Sequence, residues 1–382
     1  MRHCAIAAGL MLAAGAAMGA GESGKDPGGF YIAGEESKLY IGGFMQFRLL
    51  GNFRDSDTAG DQDDFTSGFV GARTRLVFRG NLTDELGFYL QGDGRSSDGT
   101  FILLDAFGDW KVNDQTKVRW GQFEDLFLKE EVVSDTGQTA VEQSTFNSVF
   151  TAGRVQGVGV AWTGDRGRFF GSFNDGARTL NTNFTSGAEA DYGLTARGEF
   201  RWGAGDWKQF DRFASWRGSE YAGMLGGAVR WQSGGETGGT ADTDALSFTI
   251  DAMAKGNGWH VFGAFGGRDS DVGGGADRTD LGFMAHGGYF FTEQLEGFAR
   301  YSHIIPDDDA GAASDEFKDV TVGASYYVFP ESNTLKLTGD VVYYLDDRAG
   351  SADVVPTATA AGFLGDSEDG EVAVRFQAQV VF

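Results

Sequence analysis

Arg73, Arg75 and Arg79 stand within one short stretch, GARTRLVFRG, at steps of two and four residues. At a period of two, all three side chains leave the same face of an extended chain, so they form a row of guanidinium groups. Such a row suits the paired oxygens of phosphate or carboxylate. Further cations share the polar phase of other extended segments: Arg48, Lys117, Arg119, Arg154, Arg197, Arg201, Arg230, Arg300 and Arg375. Acids on that phase are fewer, namely Glu199, Asp251, Glu296, Asp340 and Glu371. Two readings stay open here. The cations form a ladder for anions, or they pair with neighbouring acids in a wide wet interior.

Covalent chemistry finds little support. Beyond His3 the histidines are His260, His286 and His303, and no Ser or Asp stands at a suggestive spacing from any of them. The protein is therefore expected not to be an enzyme. Asp307, Asp308 and Asp309 form an acidic cluster, but nothing has the ligand spacing of a calcium loop. No metal and no cofactor is expected.

The elements that must position these residues repeat one pattern. In the last segment Val372, Val374, Phe376, Ala378, Val380 and Phe382 alternate with Glu371, Arg375, Gln377 and Gln379. Near the start Leu39, Ile41, Met45, Phe47 and Leu49 alternate with Lys38, Gln46 and Arg48. A period of two marks strands with differently solvated faces. Sixteen such segments are expected, at 38–50, 68–80, 86–93, 101–111, 115–122, 154–163, 167–175, 191–203, 221–232, 243–254, 258–267, 279–290, 294–304, 317–328, 334–345 and 371–382. The links between them alternate between short, turn-like pieces and long polar ones. That asymmetry belongs to a transmembrane antiparallel β-barrel with short turns on one side and long external loops on the other. Residues 204–220 break the rule, being long and aromatic where a short turn is due.

Much of the acid falls in the long links: Asp55, Asp57, Asp61, Asp63, Asp64, Asp307–Asp309, Asp346, Asp347, Asp353, Asp366, Glu368 and Asp369. The longest link, the third, spans 123–153 and mixes Phe127, Leu128, Val132 and Val133 with Glu124, Asp125, Lys129, Glu130, Glu131, Asp135 and Glu142. Apolar anchors among acids suit a loop packed against an inner wall.

Residues 1–20 read as a secretory signal: a basic start at Arg2, an apolar run from Ala5 to Ala17, and small residues at Ala17-Met18-Gly19-Ala20. The only cysteine, Cys4, lies inside it, so the exported chain would draw no stability from disulfides. Residues 21–37 are expected to be an N-terminal periplasmic segment, and 38–382 the barrel. With 61 Gly and 33 Phe against 4 Pro, the composition suits many long strands in a closed ladder, where proline would remove a donor. The mean hydropathy of −0.25 does not argue against a membrane, because only alternate residues of a spanning strand meet lipid. A net charge of −24 argues against a nucleic-acid partner.

Several stretches carry a resemblance. GARTRLVFRGNLTDELGFYLQGD at 71–93, LLDAFGDWKV at 103–112, VRWGQFEDLF at 118–127 and GDWKQFDRFASWRGSEYAGMLGGAVRWQ at 205–232 resemble the phosphate-selective porin O and P family. The last of these takes in the long aromatic link. VRFQAQVVF, ending in Phe382, resembles the insertion signal read by the barrel-assembly machinery. The resemblance implies a sixteen-stranded outer-membrane barrel, a homotrimer, with the third external loop folded inward as a constriction. The function expected is passive diffusion of small polar or anionic solutes, with phosphate implied by the family, through a pore in outer-membrane lipid. The alternative is a surface-binding or adhesive barrel that uses its acidic external loops.

Overall fold

A chain whose alternate residues prefer hydrocarbon and water can place both only at a boundary between the two. Inside a bilayer every strand edge must also find a partner, which requires a closed ring. The computed structural model meets both demands. It describes residues 22–26, 29–54, 65–94, 99–184, 186–187, 189–234, 243–272, 277–308, 316–348, 354–364 and 367–382. The expected export signal lies outside the described residues, as do Asp55, Asp57, Asp61, Asp63, Asp64, Asp309, Asp353 and Asp366.

The strands are β1 (Glu22–Asp26), β2 (Gly29–Ala33), β3 (Lys38–Phe53), β4 (Phe65–Asn81), β5 (Leu86–Gly94), β6 (Phe101–Lys111), β7 (Thr116–Glu124), β8 (Arg154–Thr163) and β9 (Gly167–Asn174). They continue as β10 (Tyr192–Gly203), β11 (Ala222–Ser233), β12 (Thr243–Gly256), β13 (Trp259–Val272), β14 (Arg278–Phe290), β15 (Leu295–Ile305), β16 (Phe317–Tyr327), β17 (Leu335–Tyr344) and β18 (Val372–Val381). From β3 to β18 each strand pairs antiparallel with the next, and β18 returns to pair with β3 from Val372↔Phe53 to Val381↔Phe44. This is a closed barrel of sixteen strands, and all sixteen expected segments are present.

The burial phase is inverted relative to a water-soluble protein. Along β18 Ala373, Arg375, Gln377 and Gln379 are buried, while Phe376 and Val380 are exposed. Phe47, Phe69, Phe173, Leu225, Ile250 and Phe376, from strands around the ring, are each at least 51% exposed. An apolar band of that extent is stable only against lipid.

Strand ends differ from expectation where charge was taken for loop. β13 runs on through Arg268, Asp269 and Ser270, because Arg268 faces Asp280 across the ladder and donates to it at 2.8 Å. Within the segment expected to be periplasmic, residues 22–26 and 29–33 form a hairpin. β1 pairs with β2, and β2 pairs with Lys38–Ile41 on the edge of β3 that β18 leaves open. Phe382 ends the chain there, exchanging backbone hydrogen bonds of 3.0 Å with Gly43.

The aromatic link between β10 and β11 now has a physical cause. Phe210 and Phe213 are fully buried, and Phe213 packs on His260, Phe262 and His286, all on the inner face. The link therefore folds up into the barrel instead of turning in water. Lys255 of β12 holds it, its ammonium donating to the carbonyls of Gln209 and Arg212 at 2.6 Å, Phe213 at 3.0 Å and Ala214 at 3.2 Å. Without that ammonium the carbonyls lose their donor inside the wall, at about 1–3 kcal/mol for each left unsatisfied. Lys255→Met is expected to expose the insert, raising tryptic cleavage at Lys208 and Arg212 by about tenfold or more. Unchanged cleavage would show that the aromatic contacts alone hold it.

Candidate functional site: a basic wall beside an acidic internal loop

Residues 125–153 leave the end of β7 and meet inward side chains on nearly every side of the barrel. Arg48 of β3 donates to the Val141 carbonyl at 2.7 Å, Arg300 of β15 to the Glu142 carbonyl at 2.7 Å, and Lys336 of β17 to the Gln138 carbonyl at 2.5 Å. Ser325 of β16 donates to the Thr139 carbonyl, and Asp340 of β17 accepts from the Val141 amide. A segment that touches the inner face of β3, β15, β16 and β17 crosses the interior.

Two short helices shape it: α1 (Lys129–Val132) and α2 (Thr145–Phe150). Ser144 caps α2 by accepting from the Asn147 amide at 3.0 Å, and its own amide and hydroxyl donate to Glu130. Phe127, Leu128, Val133, Phe146 and Phe150 join Met224, Met253, Phe262 and Met284 from the strands in one buried cluster. The loop thus has an apolar side seated on β11–β14. At its middle it meets the insert from the opposite end, where the Phe213 amide donates to the Gly137 carbonyl at 3.1 Å.

What remains open lies along β4–β8. A cavity of about 420 Å³ has Arg73, Arg75, Asp105, Arg119, Glu124 and Arg154 on its wall side, with Glu131 and Asp135 on its loop side. A second cavity, of about 580 Å³, continues towards the short turns past Arg79, Lys111 and Lys117. The two share Tyr89, Phe107 and Arg119.

The cations of this wall are paired. Arg73 donates to Glu142 at 2.5 Å and lies 3.1 Å from Asp135. Arg75 reaches Asp135, and Asp93 at 3.5 Å. Arg154 grips Asp105 with two bonds, at 3.2 and 3.1 Å. Arg119 binds Asp109 at 2.8 and 3.0 Å while lying 3.7 Å from the centre of the Phe107 ring. Pairing leaves them partly accessible, with side chains 12–14% exposed for Arg73, Arg75 and Arg154 and 28% for Arg119. Arg79 and Lys117 stand exposed nearer the short turns, Arg79 over the Tyr40 ring.

The other expected pore-lining cations are covered. Arg48 is fully buried between Glu142, at 2.9 Å, and Gln377. Arg197 is clamped by Asp251 and Glu199, and Arg375 by Asp340. Arg300 sits under the loop, 3.6 Å from Glu130. Arg230 lies 3.6 Å from Asp125, and Arg201 bonds the Gly205 carbonyl beside Trp207. These six point inward as their phase demands but do not border the open space along β4–β8. Glu371, among the inward acids, lies 3.7 Å from Arg54.

Asp93, Asp105, Asp109 and Asp280 were not among the expected inward acids, although their strand phase was available. Irregularities at Gln46/Phe47 and Gln91/Gly92 interrupt the period of two and obscure the phase of Asp93, Asp105 and Asp109 on β5 and β6, whereas Asp280 lies on β14, where the register is regular.

Charge within the loop follows its surroundings. Burial works against Asp135 and Glu142, yet Arg73 and Arg75 hold the Asp135 carboxyl below its ordinary range, and Arg73 and Arg48 hold Glu142 well below. Burial raises Asp125, opposed by the Thr195 hydroxyl, and raises Glu130, opposed by Arg300. Lys129 is buried without a hydrogen-bond partner for its ammonium among the described residues, and burial pushes it down to about 8 against the pull of Glu199 at 3.9 Å. Of the histidines, His286 bonds the loop through Thr139 at 2.7 Å, His260 lies 3.3 Å from Glu296, and His303 bonds Glu316 at the rim.

With this geometry in place, the chain can be set beside known proteins. Residues 45–220 match the family model described as Phosphate-selective porin O and P. Among curated sequences none matches. Solved structures with the same fold include an anion-selective porin from Comamonas acidovorans, at 16% identity and a TM-score of 0.62, covering 91% of this chain and 100% of that one. OmpT, an outer-membrane protein of Vibrio cholerae, aligns at 12% identity and a TM-score of 0.61, over 92% of this chain and all of its own. The outer-membrane channel DcaP of Acinetobacter baumannii aligns at 14% identity and 0.59, over 92% of this chain and 99% of its own. Identities this low establish the shared barrel fold.

The Arg48–Glu142–Arg73 arrangement makes a specific prediction about acid. Carboxylates held below their ordinary range stabilise the folded loop above their unfolded values, and that contribution fades as pH falls through about 4 and below. Current through the protein in a planar bilayer is expected to be quiet at pH 6 and to fluctuate at pH 3. Glu142→Gln, which leaves Arg48 buried without the carboxylate that pairs it, is expected to fluctuate already at pH 6. A steady current from this variant would mean that Glu142 does not anchor the loop.

Proposed function

We propose that the protein is a porin of the outer membrane, a water-filled channel for passive diffusion of small polar or anionic solutes, phosphate among the anions. The observation that carries this reading is the pair of adjoining cavities along β4–β8, lined by arginines and open beside the internal loop. The family match over residues 45–220 and the barrel shared with an anion-selective porin support it.

In this reading residues 125–153 form the constriction. Arg73, Arg75, Arg119 and Arg154 line its basic side, with Arg79 and Lys117 at the inner mouth, and Glu131 and Asp135 oppose them from the loop. Basic and acidic groups facing one another across a narrow passage create a transverse field, which orients polar solutes more than it sorts ions by sign. Catalysis has no part in this scheme. The barrel would sit in outer-membrane lipid through its aromatic and aliphatic exterior, assembled by machinery that reads Phe382. A homotrimer is the assembly we favour, in line with the trimer form solved for the Vibrio cholerae protein.

Conductance across a planar bilayer under a salt gradient tests the proposal. Wild-type protein is expected to conduct with a small reversal potential, and Arg73→Ala with Arg75→Ala to shift the anion-to-cation permeability ratio towards cations by about threefold. A barrel that passes no current would sink the channel reading in favour of a surface-binding role. A conducting double variant with unshifted potential would remove Arg73 and Arg75 from the selectivity wall.

A further inference from the structure

A third cavity, of about 300 Å³, opens at the long-loop end of the barrel, on the opposite side of the internal loop from the passage. It shares no lining residue with the passage. Four arginines converge on it: Arg178 from the link after β9, Arg230 from β11, Arg268 from β13 and Arg278 from β14.

Its floor is closed by aromatic rings. Phe127 and Phe150 line it directly. Beneath Arg268 on the inner face of β13, the missing side chain of Gly266 leaves room for Phe146, whose ring would lie 3.3 Å from a β-carbon there. Gly282 does the same for Phe150 on β14, at 2.7 Å. Aromatic rings therefore cover the side of the cavity that faces the short-turn end along β13 and β14.

Its charge is unbalanced. Arg268 and Arg278 share one carboxylate, Asp280, at 2.8 and 3.1 Å. Arg230 lies 3.6 Å from Asp125, whose oxygens already accept from Ser172 and Thr195. The Arg230 Nε is buried and has no hydrogen-bond partner among the described residues. Arg178 donates to the Ser148 carbonyl, a neutral group. Burial lowers Arg178, and the nearby Arg268 lowers it further, with Glu131 opposing from the loop. Four guanidinium groups thus meet two carboxylates at ion-pair distance among the described residues.

The pocket is also built. Gln232 accepts from Arg230 at 3.0 Å and from the Ala177 amide at 3.0 Å, which ties the link after β9 to the wall. The Arg178 amide donates to the Ala152 carbonyl at 2.8 Å, fixing this arginine over the pocket in a left-handed conformation, φ 60°.

We infer that this pocket is a binding site for a doubly charged anion with paired oxygens, held by Arg178, Arg230, Arg268 and Arg278 outside the conducting passage. Inorganic phosphate, sulfate and a short dicarboxylate share that chemistry, since each offers two oxygens to a guanidinium fork. The site stands whether or not the passage conducts.

The test uses full-length protein in detergent, titrated calorimetrically with inorganic phosphate, then sulfate, then succinate. Saturable binding near one anion per chain is expected, weakened by about tenfold or more in both Arg178→Gln and Arg278→Gln and unaffected by Arg73→Gln. Unchanged mobility of the unheated barrel on a gel shows that each variant is folded. Preference among the three anions identifies which oxyanion geometry the pocket fits. Absence of saturable binding overturns the inference. So does binding that is lost with Arg73→Gln and kept in the Arg178 and Arg278 variants, because the anion would then sit in the passage.

Discussion

The pairing of β18 with β3 is the contact on which everything else rests. A strand edge left open in hydrocarbon would expose a row of unsatisfied amides and carbonyls, so the ladder has either all sixteen strands or none. Closure also defines an inside. Once the ring is shut, the polar phase of each strand faces a lumen, and side chains such as Arg48, Gln377 and Gln379 need partners there. The chain end takes part, since Phe382 completes the edge of β3 and the N-terminal hairpin occupies what β18 leaves uncovered.

A sixteen-strand ring is too wide for wall side chains to fill, and this barrel fills the space from both ends. Residues 125–153 enter from one mouth and 204–221 from the other, and they meet at Gly137 and Phe213. Each is held by apolar packing on one side and by cations donating to backbone carbonyls on the other. Lys255, Lys336, Arg48 and Arg300 all use that second device. A buried cation is tolerable only when such donors and counter-charges surround it, and breaking one buried pair costs about 3–5 kcal/mol. Charge pairing therefore holds both insertions to the wall. What stays open is the part of the lumen along β4–β8 that neither insertion covers, and the arginine-lined pocket beside β11–β14.

The strands were legible because lipid and water impose a strict period of two, and runs such as Val372–Phe382 display it without long-range information. Loop sides were legible from connection length. The long aromatic link was visible as an exception, but its burial was not, because Lys255 and Gln209 are far apart in the chain and meet only in the fold. Arginine phase was legible as well. Arg73 and Arg375 both point inward, yet Arg73 borders the open space and Arg375 is sealed beneath the link before β18, its guanidinium bonding Asp340 and the Ala361 carbonyl.

By itself the sequence determined the barrel, the number of its strands and the inward direction of its cations, since each follows from local alternation. Tertiary structure alone decided which cations stay accessible, which acids neutralise them, and where space remains. Those outcomes depend on two insertions whose paths are set by contacts across the lumen. A pattern confined to neighbouring residues carries no record of such contacts.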